Sequence, residues 1–170
     1  ISKIITFASG TSTTTDLAVG DTDRDGDLDL AVTNDATVQH VVYLNDGTGN
    51  MTAGTDNYAT GAVNGRAVVF GDIDGDGDLD VGTANYDNQN RFDLNDGAGN
   101  FIGGPNNFGT GSDASSELAL GDIDGDGDLD VALVNDQAQN VIYKNNGTGA
   151  FVAGAVNFGS TDAEHDNPVA

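Results

Sequence analysis

The chain has no cysteine and no tryptophan, and among its 170 residues only two prolines, two histidines and five Lys plus Arg. Without cysteine there are no disulfides and no thiolate metal sites, and the compartment is left open. So few cations against 28 acidic residues leave a net charge of −23, which argues against nucleic acid and anionic membranes as partners. No apolar run approaches the roughly 18 residues of a membrane span. Serine-nucleophile motifs and a phosphate-cradling Gly loop with its Lys are both absent. His40 opens a strand and is read as structural, and His165 lies in a polar tail at 160–167. Catalysis is therefore not expected. A glycosidase-type carboxylate pair is the nearest alternative, but most carboxylates belong to three loops described next. The first residue is Ile1, so a processed chain or an excerpt is expected.

What is abundant is Asp and Gly, and their placement is not random. Asp-Thr-Asp-Arg-Asp-Gly-Asp-Leu-Asp stands at 21–29, and Asp-Ile-Asp-Gly-Asp-Gly-Asp-Leu-Asp stands at 72–80 and again at 122–130. Four unpaired carboxylates held within about 5 Å repel by roughly 3 kcal/mol per pair at an effective dielectric near 20, or about 20 kcal/mol over the six pairs. That exceeds the roughly 5–15 kcal/mol that holds a domain together, so something must neutralise the cluster. Hard oxygens with no His or Cys nearby favour Ca2+ over zinc.

Glycine at the sixth place permits the sharp turn that wraps a chain around an ion. Asp21, Asp23, Asp25 and Asp29 are then expected to converge, with the carbonyl of Asp27 as a backbone ligand and its side chain in water. The second copy offers Asp72, Asp74, Asp76 and Asp80 with the carbonyl of Asp78. The third offers Asp122, Asp124, Asp126 and Asp130 with the carbonyl of Asp128. Three Ca2+ ions, one per repeat, are expected, and water would complete the shell. An EF-hand needs Glu at loop position twelve and flanking helices; here that position is Val32, Thr83 and Leu133, and the flanks are strand-like. A merely solvated acidic run does not explain three copies in one register, each with Leu at the eighth place.

The loops recur about every fifty residues, and three further markers keep the beat. They are Asn45-Asp46-Gly47, Asn95-Asp96-Gly97 and Asn145-Asn146-Gly147; Met51, Phe101 and Phe151; and Phe7, Tyr58, Phe108 and Phe158. Each repeat reads as four short strands. The first starts at Leu17, Val68 and Leu118 and feeds the acidic loop. The second leaves the loop at Leu28, Leu79 and Leu129. The third covers Val41–Leu44, Arg91–Leu94 and Val141–Lys144 and ends in the Asn-x-Gly turn, a hairpin signal. The fourth runs from Met51, Phe101 or Phe151 to the aromatic seven residues on. No helical period appears. The fold expected is all-β: three four-stranded antiparallel blades of the β-propeller type, with a partial blade at each end. The boundaries are 1–10 for a partial strand, 11–60, 61–110 and 111–160 for the blades, and 161–170 for an incomplete one.

Hydrophobic strand, Gly-Asp-x-Asp-x-Asp-Gly-x-x-Asp, hydrophobic strand and Asn-x-Gly turn together resemble the FG-GAP or VCBS-type repeats of integrin-α-like propellers and microbial secreted proteins. The Phe-Gly pairs at 108–109 and 158–159 match half of that name; Gly103-Gly104-Pro105 is the nearest to the Gly-Ala-Pro half. The resemblance implies a calcium-stabilised blade with the ion in the hairpin between first and second strands.

The function expected is a non-catalytic extracellular or cell-surface module for adhesion, surface assembly or scaffolding. Its partners would be other copies of the chain, in a ring or filament, or an extracellular protein or glycan. The alternative is a calcium-dependent carbohydrate-binding (lectin) module; Tyr43 and Tyr143 are in register for a platform but are read as packing. Asn50-Met51-Thr52 and Asn146-Gly147-Thr148 make Asn50 and Asn146 glycosylation candidates. Thr11–Thr15 read as a polar loop or an O-glycan carrier. Lys3–Phe7 is expected to add as a strand to a neighbouring sheet, and Pro168–Ala170 to begin a blade that does not continue.

Overall fold

The computed structural model describes residues 13–35, 39–54, 58 and 63–159, with backbone alone at 104–106 and 152–156. The expectations for 1–10, His165 and 161–170 lie outside the described residues. What is described is all strand and turn, with no helix.

The twelve strands form three successive four-stranded units. The first holds β1 (Thr14–Gly20), β2 (Asp29–Asn34), β3 (Val41–Asn45) and β4 (Met51–Ala53). The second holds β5 (Asn64–Gly71), β6 (Asp80–Tyr86), β7 (Asn90–Asn95) and β8 (Phe101–Phe108). The third holds β9 (Ala114–Gly121), β10 (Asp130–Asp136), β11 (Asn140–Asn145) and β12 (Phe151–Phe158). Every pairing is antiparallel between neighbours in sequence, and a single bridge, Tyr86 with Ala114, links the second unit to the third. Among the described residues no pairing joins the third sheet back to the first.

The first strands begin earlier than the apolar runs predict. Thr14 and Thr15 belong to β1 rather than to a loop, because their hydroxyls find partners across the sheet and beyond it. Thr15 Oγ1 donates to the carbonyl of Gly65 in the next unit (2.8 Å) and lies 3.0 Å from Thr33 Oγ1.

The core lies between units. Ala31, Val42 and Tyr58 of the first unit pack with Val68, Val81 and Phe101 of the second. Ala67, Ala84, Phe92 and Phe108 of the second pack with Leu118, Val131 and Leu133 of the third. The fourth-strand aromatics do bridge neighbouring sheets: ring centroids of Phe108 and Phe151 are 5.3 Å apart, and those of Phe92 and Phe151 are 5.7 Å apart. Tyr143 packs on Phe108 (5.7 Å), as its packing role requires. β2 and β6 are buried along all or nearly all of their length, whereas β10 ends in alternation between buried and exposed.

A polar ladder accompanies this core. The backbone N–H groups of Asn85 and Asn135 donate to the side-chain carbonyls of Asn90 and Asn140, and that of Asn34 donates to His40 Nδ1 (3.1 Å). His40 thus does the work of an asparagine, fully buried, with Nε2 3.5 Å from Asn85 Oδ1 of the next unit. At the second junction Asn90 Nδ2 donates to Ser115 Oγ, which donates to Asn135 Oδ1, both at 2.8 Å. Gly65 stands in the place of Ser115 because the imidazole is larger: a Cβ there would lie 2.5 Å from His40 Cε1. Gln89 and Gln139 hold the Phe-Gly pairs, each Nε2 donating to the carbonyl of Phe108 or Phe158 at 2.6 Å.

Candidate metal centre

Each acidic loop joins the first and second strands of its unit. The sixth-position glycines Gly26, Gly77 and Gly127 have φ of 96°, 92° and 100°, a conformation that side chains oppose. The turn they allow brings one carboxylate oxygen from each of Asp21, Asp23 and Asp29 within 4.8 Å of one another. Asp72, Asp74 and Asp80 do the same, as do Asp122, Asp124 and Asp130.

The other two carboxylates of each loop have different surroundings. The fifth-position residues Asp25, Asp76 and Asp126 stand outside these groups. Their Oδ1 atoms accept the N–H of Asp27, Asp78 and Asp128 at 2.9, 2.9 and 3.0 Å, a local turn typical of aspartate. The seventh-position side chains do not simply enter water. Asp27, Asp78 and Asp128 lie over Gly47, Gly97 and Gly147 of the following turn, where a Cβ at Gly97 or Gly147 would be 2.6 Å from the carboxylate. These turn glycines also have positive φ, so two constraints fix them.

The ninth carboxylate ties the unit together. Asp29, Asp80 and Asp130 are fully buried. Asp80 accepts Ile73 N–H (2.9 Å) with one oxygen and Asn95 N–H (2.8 Å) with the other. Asp130 repeats this with Ile123 (3.0 Å) and Asn145 (2.9 Å), and Asp29 with Thr22 (2.8 Å) and Asn45 (2.9 Å). Burial pushes Asp80 up to about 6 despite those donors, and the neighbouring Asp74 and Asp76 carboxylates add to the rise. Burial likewise raises Asp23 and Asp74, with nearby carboxylates contributing.

These groups fit a hard divalent ion. Oxygens bound to one Ca2+ at 2.3–2.6 Å can be at most about 5 Å apart, as they are here. Asp21 Oδ1 is buried and has no hydrogen-bond partner, a position that a cation would satisfy. Three mutually repelling carboxylates at this spacing cost about 10 kcal/mol at an effective dielectric near 20. An ion would supply charge neutralisation.

The turn asparagines hold the loops to their neighbours. Asn95 Nδ2 donates to Leu79 O of its own loop (3.1 Å) and to Thr22 O of the preceding loop (2.7 Å). Asn145 Nδ2 donates to Leu129 O (3.1 Å) and to Ile73 O (2.6 Å). Asn45 Nδ2 reaches Leu28 O (3.1 Å). The constant spacing of Asn-x-Gly announced a turn in the sequence, but not this second bond between units.

Two cations enter the loops. Arg24, at the fourth position where the other loops have glycine, pairs with Asp78 of the next loop. Lys144 Nζ donates to Asp124 Oδ2 at 2.9 Å and holds that carboxyl below its usual range. Asn50 and Asn146 are both exposed. Asn50 Nδ2 donates to Asp46 Oδ2 (2.8 Å), and Asn146 Oδ1 accepts from Thr148 Oγ1 (2.7 Å).

All-β units of about fifty residues, each carrying an aspartate cluster between its first two strands, define the class. The chain belongs to the FG-GAP-like repeat family, whose profile matches residues 21–83, 75–133 and 122–170. Repeats of this family commonly bind calcium and are typical of extracellular, adhesion-type proteins. No curated protein matches the chain. Among the described residues no helix is long and apolar enough to cross a membrane.

Proposed function

We propose that the chain is a non-catalytic extracellular module for adhesion or surface assembly, built of propeller-type blades and held by three calcium ions. The observation that carries this reading is the convergence of three carboxylate oxygens within 4.8 Å in every repeat, with Asp21 Oδ1 buried and unpartnered in the first. The ions are structural: each would sit between strands of one unit, on side chains already engaged by backbone N–H groups. Asp21, Asp23 and Asp29, and their counterparts in the later loops, are the side-chain ligands. With −23 charges on the bare chain, partners are neutral, cationic or other calcium-loaded copies. Isothermal titration of the chelator-stripped chain is expected to find three calcium ions per chain, with magnesium a poor substitute because it demands a smaller octahedral site. Fewer than three ions, or equal heat from magnesium, would contradict it.

A further inference from the structure

The chain has two Asn-Gly pairs, Asn64-Gly65 and Asn146-Gly147, and the fold treats them differently. Gly65 is buried at the start of β5; its N–H donates to Val63 O (3.1 Å), and its carbonyl accepts from Thr15 Oγ1 (2.8 Å). Asn64 pairs with Tyr86 in the sheet, and its Oδ1 is buried without a donor. Asn146 is exposed in the turn between β11 and β12, where Gly147 has a φ of 76°. In the first two turns Asn45 and Asn95 Oδ1 accept the glycine N–H, from Gly47 (3.3 Å) and Gly97 (3.1 Å). In the third, Asn145 Oδ1 accepts Asn146 N–H instead (2.8 Å), which leaves Gly147 N–H out of that bond. The first two turns also carry a carboxylate where the third carries an amide. Asp46 and Asp96 each accept the side-chain amide of an asparagine four residues on, at 2.8 and 3.0 Å, and those bonds hold both carboxyls below their usual range. Ala150 takes that asparagine's place in the third turn.

We propose that Asn146 is a site of spontaneous covalent change, at which its side chain and Gly147 N close to a succinimide that opens to aspartate or isoaspartate. Gly147 N gives up its proton to solvent base and forms a bond to Asn146 Cγ. The side-chain nitrogen takes a proton from water and leaves as ammonia. Water then adds to either carbonyl of the ring, so no oxidant or reductant is needed. Negative charge develops on Asn146 Oδ1 during the attack, and two donors already engage that atom: Thr148 Oγ1–H (2.7 Å) and Thr148 N–H (3.2 Å). Fixed donors at a developing oxyanion lower the barrier. An ionised carboxylate resists the same attack, so Asp46-Gly47 and Asp96-Gly97 are protected by the bonds that keep them charged. The aspartate product restores the residue that the first two turns carry. Isoaspartate instead adds a methylene to the main chain within residue 146, next to Asn145, whose N–H holds Asp130 and whose side chain holds Ile73 O. Conversion therefore acts on the second junction, and either product ends the Asn146-Gly147-Thr148 sequon.

Peptide mapping by mass spectrometry tests it on the full, unglycosylated chain, incubated folded in millimolar calcium at mildly alkaline pH. Asn146 is expected to yield both products about tenfold faster than Asn64, which must first break a backbone hydrogen bond to react. Thr148 is exposed, so Thr148→Val does not open the core. That variant is expected to slow conversion by about three- to tenfold, less than the loss of a donor in a closed enzyme site. In concentrated urea the two asparagines are expected to convert at similar rates, because the fold no longer separates them. Four results would overturn the inference: Asn64 converting as fast as Asn146 in the folded chain, a preference for Asn146 that survives in urea, a Thr148→Val chain that converts as fast as wild type, or an Asn146 that stays intact in the folded chain for as long as the unfolded chain takes to convert.

Discussion

The second and third acidic loops have the same nine residues and different surroundings. Asp-Ile-Asp-Gly-Asp-Gly-Asp-Leu-Asp at 72–80 lies between two other units; its Ile73 and Asp78 are buried, and Arg24 reaches Asp78 from the loop before. At 122–130 the same sequence has one neighbour, and its first seven residues are exposed or nearly so. The carboxyls at the third position respond in opposite directions. Burial raises Asp74, whereas Lys144, from the same unit, lowers Asp124. The motif therefore specifies which oxygens converge, and the residues around each loop specify how its carboxyls titrate.

The largest difference between the two loops is expected at the ninth position. Asp80→Ala leaves two backbone N–H groups without their acceptor and removes a ligand, and should cost about 3–5 kcal/mol in calcium by urea denaturation. Asp130→Ala should cost less, because only one junction depends on that loop. Equal losses would mean that neighbours contribute nothing.

Junctions offer the next test. Gly65→Ser places a side chain against the buried His40 ring and should destabilise by about 1–3 kcal/mol, an overpacking cost. The double change His40→Asn with Gly65→Ser copies the Asn90–Ser115 arrangement and should recover most of it. Failure of the double variant to recover would show that the two junctions are not interchangeable.

Lys144→Leu probes the third loop. Removing the ammonium from Asp124 frees a ligand and should tighten calcium there by about two- to fivefold, the range of an exposed ion pair. Isothermal titration resolves it, and an unchanged or weaker third site would contradict the assignment of Lys144 as the ion's competitor.

The smallest effect is one of pH. Burial lowers His40 from its ordinary value near 6.5 and keeps it neutral. A depressed group contributes stability above the unfolded value, and that stability fades as pH falls from about 6.5 through the folded value. The first junction should loosen in that window, and the His40→Asn, Gly65→Ser chain should lose this component. Thermal melts from pH 7 to 5 would show it.

Much of this was legible in the chain. Five aspartates with a sixth-place glycine at constant spacing announce the loops, and the period of about fifty announces the units. The convergence of three carboxylates in each loop rather than four was not legible, since the third- and fifth-position aspartates look alike in sequence and both accept the N–H two residues on. The polar ladder was hidden for another reason. Its members, His40 with Asn85 and Asn90 with Ser115 and Asn135, are far apart in sequence, and asparagine is common in turns. His40 itself carries no sequence sign beyond a structural role, and it stands in the fold where Asn90 and Asn140 stand in the later units.

The central claim is that calcium supplies a large part of the folding energy. An ion at a hundredfold excess over its dissociation constant adds about 2.7 kcal/mol, so three sites would add roughly 8 kcal/mol, comparable with the stability of a whole domain. Thermal melting of the intact chain in millimolar calcium and in excess chelator measures this directly. A melting point at least about 15 °C higher with calcium is the result expected for a chain of this length. The same melting point in both, with the chelated chain shown to be free of calcium, would contradict the account.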